Sequence, residues 1–273
     1  MKKNYILGFI VALSVLIQSC VPNTNRLKYQ SETESHVNNP KLLYRLGYNY
    51  SNGIEVQKDV DKACDLFAEA AEQQYPLALH GLGLCFSEGI GRDKDLARGC
   101  DLFEEAAQLH HISSQNNLGR CYALGRGRDL NHEKAFYWYE KAAIAGDAVS
   151  QNNLGIKYYE GEGVDQNFEQ AAIWFKRSAV QGNVDALGNI GLMYDQGTGV
   201  ERDYNEAYKW YFRAAFMNDA KSQNNIGVLY EYGRGVELNL QKALFWYEKA
   251  AKQGHEKAKV SLERVQSLLG DPP

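Results

Sequence analysis

Apolar and small residues follow two superposed periods along this chain. Over short stretches they fall three or four residues apart, the spacing of a single helix face. Over longer distances the whole pattern returns every 36 residues, marked each time by a Leu–Gly or Ile–Gly pair at Leu46, Leu82, Leu118, Leu154, Ile190 and Ile226. Count that Leu or Ile as position 0. Position +4 is then aromatic in all six copies, and +7 is Gly in all six. Position +9 is Gly in five, with Glu55 as the exception, and +13 is always Asp or Asn. Position +20 is Leu66, Leu102, Trp138, Trp174, Trp210 and Trp246, and +21 is Phe or Tyr. Positions +24 and +25 are Ala–Ala except at Ser178–Ala179.

Each column has a physical reading. Positions −4, 0 and +4 share one face of a first helix, and the Gly at +1 lets another helix approach closely. The Gly at +7 suits the left-handed residue that ends this helix. Asp or Asn at +13 suits the N-cap of a second helix over about +14 to +27. That helix turns +17, +20, +21, +24 and +25 inward. One helix pair cannot bury its apolar face alone, so the copies are expected to stack as a solenoid. After the sixth copy, Ala258 and Leu262 occupy −4 and 0, but Glu263 replaces the Gly. With Lys257, Lys259 and Arg264 beside them, residues 258–273 read as a capping helix and tail.

The run Leu154–Gly155, Tyr158, Gly161–Glu162–Gly163–Val164, Asn167, Ala171, Trp174–Phe175 and Ala179 resembles the Sel-one-like repeat, a relative of the tetratricopeptide repeat. The likeness extends from about Leu42 to Leu269. It departs where Leu66 and Leu102 replace Trp and where Gln74 and His110 replace the inter-repeat Gly. It implies an all-α, right-handed α-solenoid of six 36-residue helix-turn-helix repeats over residues 41–257, plus the capping helix. It also implies that the first helices line a concave groove, through the positions −5, −2, +2 and +5 opposite the buried face. Candidate binding residues there are Tyr44, Tyr48, His80, Asn116, Arg120, Asn152, Tyr159 and Asn224. The tetrapeptide Ser-Gln-Asn-Asn begins at Ser114, Ser150 and Ser222. Its Asn at −2 carries a donor and an acceptor, so an Asn ladder could pair with an extended peptide. Equally, these Asn could satisfy neighbouring backbone at the helix start.

The first 40 residues lie outside the 36-residue pattern. Met1–Lys2–Lys3, an apolar run from Tyr5 to Ile17, and Ile17–Gln18–Ser19–Cys20 form a secretory plan that resembles the bacterial lipobox. Residues 1–19 are therefore expected as a lipoprotein signal peptide, with lipid on Cys20. Residues 20–40, polar and poor in apolar side chains, are expected as a flexible tether. A plain secretory signal and an uncleaved anchor are the alternatives. Several acyl chains would give firm anchoring to the bacterial cell envelope. Val21 follows Cys20 where an inner-membrane retention signal would carry Asp, which points to the outer membrane.

Composition sharpens this in two places. The chain carries 30 basic and 34 acidic residues, a formal charge of −4, which argues against nucleic acid as a partner. Four cysteines besides Cys20 fall in the columns, Cys64 and Cys100 at +18, Cys85 and Cys121 at +3. In an up-down stack, Cys64 can meet Cys85 and Cys100 can meet Cys121, using all four. Cys85 with Cys100 would strand two thiols, and buried free Cys is the further alternative.

The search for chemistry finds no catalytic constellation. There is no Gly-x-Ser-x-Gly and no Ser-x-x-Lys, although some cysteine-rich members of the resembled family have been described as acting on β-lactams. His132–Glu133 and His255–Glu256 lack a second His four residues on, so no metal is expected. The Gly-x-Gly pairs follow helices rather than strands, and no cofactor is expected. The expected function is a non-catalytic, membrane-anchored repeat scaffold that binds a protein or peptide. An envelope hydrolase acting on β-lactams or peptidoglycan, and a cell-wall glycan-binding module, are the alternatives.

Overall fold

The computed structural model describes residues 39–270. The expected signal peptide, Cys20 and almost all of the tether lie outside the described residues. Thirteen helices and no strand occur among the described residues. Two compact units meet between Lys94 and Asp95. The first holds α1 (Pro40–Asn52), α2 (Val60–Ala71) and α3 (Pro76–Glu88). The second holds α4 (Leu96–Gln108), α5 (Ile112–Leu124), α6 (His132–Ile144), α7 (Ala148–Glu160) and α8 (Phe168–Val180). It continues with α9 (Val184–Gln196), α10 (Tyr204–Phe216), α11 (Ala220–Tyr232), α12 (Leu240–Lys252) and α13 (Glu256–Leu269). Within each unit every helix packs on its neighbour in sequence, so each is a segment of an all-α solenoid.

The columns explain the helix ends. Gly at +7 takes a left-handed φ of 60–72° and caps each first helix. Asp or Asn at +13 accepts a backbone N–H from the residue three further on, at 3.0 Å for Asp59 and 2.8 Å for Asn131. The +13 backbone N–H itself donates to the +4 carbonyl, as Asn167 does to Tyr158 at 2.8 Å, which closes the turn.

Two glycine columns record close approaches. A Cβ at Gly155, position +1, would lie 2.7 Å from the Phe175 ring at +21 of the same repeat. A Cβ at Gly163, position +9, would lie 2.2 Å from the His132 carbonyl oxygen, where the preceding second helix begins. Glu55 occupies +9 in the first repeat, which no described helix precedes. Leu46, also in that repeat, is 40% exposed, whereas Leu118, Leu154, Ile190 and Ile226 in the same column are fully buried. The column position buries its side chain only against a preceding repeat.

Two disulfides staple first helices to second helices. Cys64 on α2 joins Cys85 on α3, and Cys100 on α4 joins Cys121 on α5, both with Cα atoms 6.3 Å apart. This is the symmetric pairing, repeated by one 36-residue step. Each closes a separation of 21 residues, a constraint on the unfolded chain of about 3 kcal/mol.

Candidate functional site

The −2, +2 and +5 positions of the first helices differ in exposure from repeat to repeat. In the first unit, Tyr44 sits half-buried on α1, its ring 5.5 Å from Phe67 and 5.7 Å from Tyr75. Tyr48, one turn on, is exposed, and His80 on α3 is half-buried. In the second unit, Arg120 is exposed on α5, and its charge acts on the Tyr139 hydroxyl. Tyr159 is half-buried on α7 with its ring 5.2 Å from Phe168.

The Ser-Gln-Asn-Asn segments have a different geometry from a free ladder. Asn152 is only 5% exposed, and Asn224 is buried as well. Asn116 Oδ1 accepts from Ser150 Oγ at 3.0 Å and from Asn153 Nδ2 at 3.1 Å, both on the next first helix. Asn152 Oδ1 accepts in the same way from Asn189 Nδ2 at 3.0 Å. The Gln at −3 is also buried. Gln115, Gln151 and Gln223 donate to the carbonyls of Ala107, Ala143 and Ala215, at +25 of the preceding repeat. Of the two readings open in the sequence, satisfaction of neighbouring groups therefore describes where these side-chain oxygens are used. The polar segment is a joint between repeats.

That joint breaks in two places. Gly188 stands at −2 in the fifth repeat, and a Cβ there would meet only Ser222 Oγ, at 3.5 Å. Ser222 is completely buried and its hydroxyl has no partner. Asn224 Oδ1 is likewise unpartnered; the −1 Asn that serves Asn152 from the next first helix is replaced by Ser261 in the capping helix.

Acidic residues at +5 meet the +21 hydroxyls of the last two repeats. Tyr247 Oη donates to Glu231 Oε2 at 2.6 Å, and Arg264 of α13 grips both oxygens of the same carboxylate at 3.1 and 2.7 Å. Burial pushes the Tyr247 hydroxyl upward, and the bond to Glu231 pushes it further. Asp195, 3.5 Å from Tyr211 Oη, is raised by burial against the lowering effect of Arg234. Tyr139 has no such acid. Burial pushes its hydroxyl up to about 12, opposed by Arg120. The signal for these pairs was readable as columns, since acid at +5 occurs only where +21 is Tyr.

At the turn between α7 and α8, within the fourth repeat, the nearly buried Lys157 ammonium donates to Glu162, which lies 3.3 Å from Nδ1 of His132 in the third repeat. The bond from Lys157 holds the Glu162 carboxyl below its usual range. Among the described residues no three His, Cys, Asp or Glu side chains converge to hold a metal ion, and no helix is long and apolar enough to cross a membrane.

A family model described as the Sel1 repeat matches six consecutive segments, 40–75, 76–111, 112–147, 148–183, 184–219 and 220–255. The chain belongs to the Sel1 repeat family. Two solved structures place this Sel1 repeat chain among its relatives. A protective antigen present in uropathogenic Escherichia coli strains, displaying an SLR fold, is 31% identical with a TM-score of 0.81. The match covers 92% of this chain and 53% of the antigen, so the chain spans about half that protein's length. A Sel1 repeat protein from Oxalobacter formigenes is also 31% identical, with a TM-score of 0.73, over 80% of this chain and 89% of that one. No curated protein is similar enough to match. Sel1 repeats are in general protein-interaction scaffolds rather than catalytic folds.

Proposed function

We propose that this Sel1 repeat chain is a non-catalytic scaffold of the bacterial envelope, held to the outer membrane by lipid on Cys20. It binds a protein or peptide along the outward side of its first helices. The observation that carries this reading is the family's six-fold array, whose stacked first helices offer aromatic and cationic side chains at −2, +2 and +5. In the second unit the contact residues are Arg120 and Tyr159; in the first unit, taken by itself, they are Tyr48 with Tyr44 and His80. The Asn side chains at −2 hold the repeats in register beneath them and contribute the rigidity of the surface.

The test is site-specific photocrosslinking from position 159 in intact cells. One or a few discrete adducts are expected, lost on Arg120→Ala. An adduct pattern indistinguishable from a probe on the loop at Asp165 would overturn the binding side. Metabolic labelling with palmitate is expected on the parent and absent on Cys20→Ser, and an unlabelled parent would overturn the anchor.

A further inference from the structure

The opposite side of the second unit is built from the second helices α6, α8, α10 and α12, and it has its own pattern. Positions +19, +22, +23 and +26 of these helices form one outward face. Of those sixteen positions, seven carry Lys or Arg, seven carry an aromatic or aliphatic side chain, and two carry Glu. All but Glu140 are exposed. Position +23 is basic in all four helices, as Lys141, Arg177, Arg213 and Lys249. The same positions in α2 and α4 carry Asp65, Glu69, Asp101 and Glu105. In a chain of net charge −4, the outward face of α6, α8, α10 and α12 therefore carries seven cations against two carboxylates.

Four of the seven basic residues stack on aromatic rings, and Lys209 and Lys252 pair with Glu206 and Glu248. Arg177 lies 4.5 Å over the Trp174 ring and Arg213 lies 4.9 Å over Trp210. Lys141 sits 4.9 Å over Tyr137 and Lys249 sits 4.9 Å over Phe245. Such stacking keeps the cation at the surface beside an aromatic ring. Between the cations, apolar side chains stand out into solvent. Phe216 is 84% exposed, Ile144 71% and Val180 64%. Exposed apolar residues scattered singly need no explanation, but here they recur at one register in consecutive helices.

We propose that this face docks on the surface of an anionic lipid bilayer. Charge complementarity chooses an anionic partner. The relief chooses the bilayer: apolar side chains that protrude need a surface that yields around them, whereas protein anchors are received in preformed pockets. Alternating cations and aromatic or aliphatic groups satisfy the headgroup layer, with charges at the phosphates and Phe, Tyr and Ile among the upper acyl carbons. The contact is additional to any lipid at Cys20 and leaves the first-helix side turned away.

Flotation of the mature chain, residues 20–273 with Cys20→Ser, tests this without help from covalent lipid or from the apolar run Tyr5–Ile17. Vesicles of phosphatidylcholine with 30% phosphatidylglycerol are expected to carry the protein, and pure phosphatidylcholine vesicles are not. Raising NaCl from 0.1 to 0.5 M should reduce the bound fraction at least fivefold. The exposed triple change Lys141→Glu, Arg213→Glu, Lys249→Glu should lower partitioning at least tenfold. Phe212→Ser with Phe216→Ser should lower it while leaving the salt dependence in place. Absence of binding to the anionic vesicles, or equal binding by the charge-reversed protein, would overturn the proposal. So would salt-independent binding of the unaltered protein, which requires no variant to fold. Loss of this docking would leave the photocrosslinking from position 159 unaffected, so the two readings fail separately.

Discussion

The break in the polar joint at Gly188 makes the same substitution act in opposite directions in two repeats. Ser150 and Ser222 occupy the same position, both completely buried. Ser150 donates to Asn116 at 3.0 Å, so Ser150→Ala forfeits a buried hydrogen bond, a loss of about 0.5–1.5 kcal/mol, although Asn153 still donates to the same oxygen. Ser222 faces Gly188 and has no partner. Ser222→Ala therefore removes a stranded hydroxyl whose burial costs about 1–3 kcal/mol, and it should be neutral or stabilising. The complementary change is Gly188→Asn. Its Cβ has room, with nothing nearer than Ser222 Oγ at 3.5 Å. Its oxygen can take the place that Asn116 Oδ1 fills two repeats earlier. One or two restored bonds at about 0.5–1.5 kcal/mol each, plus a few tenths of a kcal/mol from replacing a helical Gly, give about 1–2 kcal/mol. For a cooperative unit of this size that is a rise of about 3–6 °C in melting temperature. The assay is thermal unfolding followed by circular dichroism at 222 nm, run as a double-mutant cycle of Gly188→Asn with Ser222→Ala. A coupling of about 1 kcal/mol is expected. Zero coupling, or equal destabilisation by Ser150→Ala and Ser222→Ala, would refute the reasoning.

Three further outcomes follow from the same geometry. Glu231→Ala leaves the Tyr247 hydroxyl without its acceptor and Arg264 unpaired. It should cost about 2–3 kcal/mol and selectively remove amide-exchange protection from α13, whereas protection that stays uniform would count against it. Glu162 has a folded pKa held below its ordinary 4.5, mainly by the Lys157 bond. Its contribution is therefore present above pH 4.5 and lost as pH falls through the folded value. Glu162→Gln should melt lower than the parent at pH 7 and show a shallower decline between pH 5 and 3, and salt should shrink the difference because the carboxylate is largely exposed. His110 adopts φ +61°, where the equivalent Gly146, Gly182 and Gly254 lie at +98°, +89° and +85°. His110→Gly should raise stability by about 0.5–1 kcal/mol in urea unfolding, and a loss would show that the side chain earns its strained backbone.

Much of this architecture was legible before any coordinates. Helix ends are local, so Gly at +7 and Asp or Asn at +13 announce them within a few residues of chain. The 36-residue return announces stacking, because identical surfaces must meet identical neighbours. The cysteine columns likewise announced the pairing Cys64–Cys85 and Cys100–Cys121. The Asn at −2, however, left two readings open, a ligand-facing strip or satisfaction of neighbouring groups. Its oxygen is used by residues 34 and 37 positions away, and that depends on how far each repeat advances on the last. Leu46 reads as core by its column yet is exposed, because burial there belongs to the repeat before it. Glu231 reads as a surface acid until α13 brings Arg264 to it. Periodicity thus determined which residues turn inward and where helices begin and end. Only the tertiary stacking decided which polar groups find partners, because hydrogen bonds need approach within about 3 Å and that distance is set by the register between repeats.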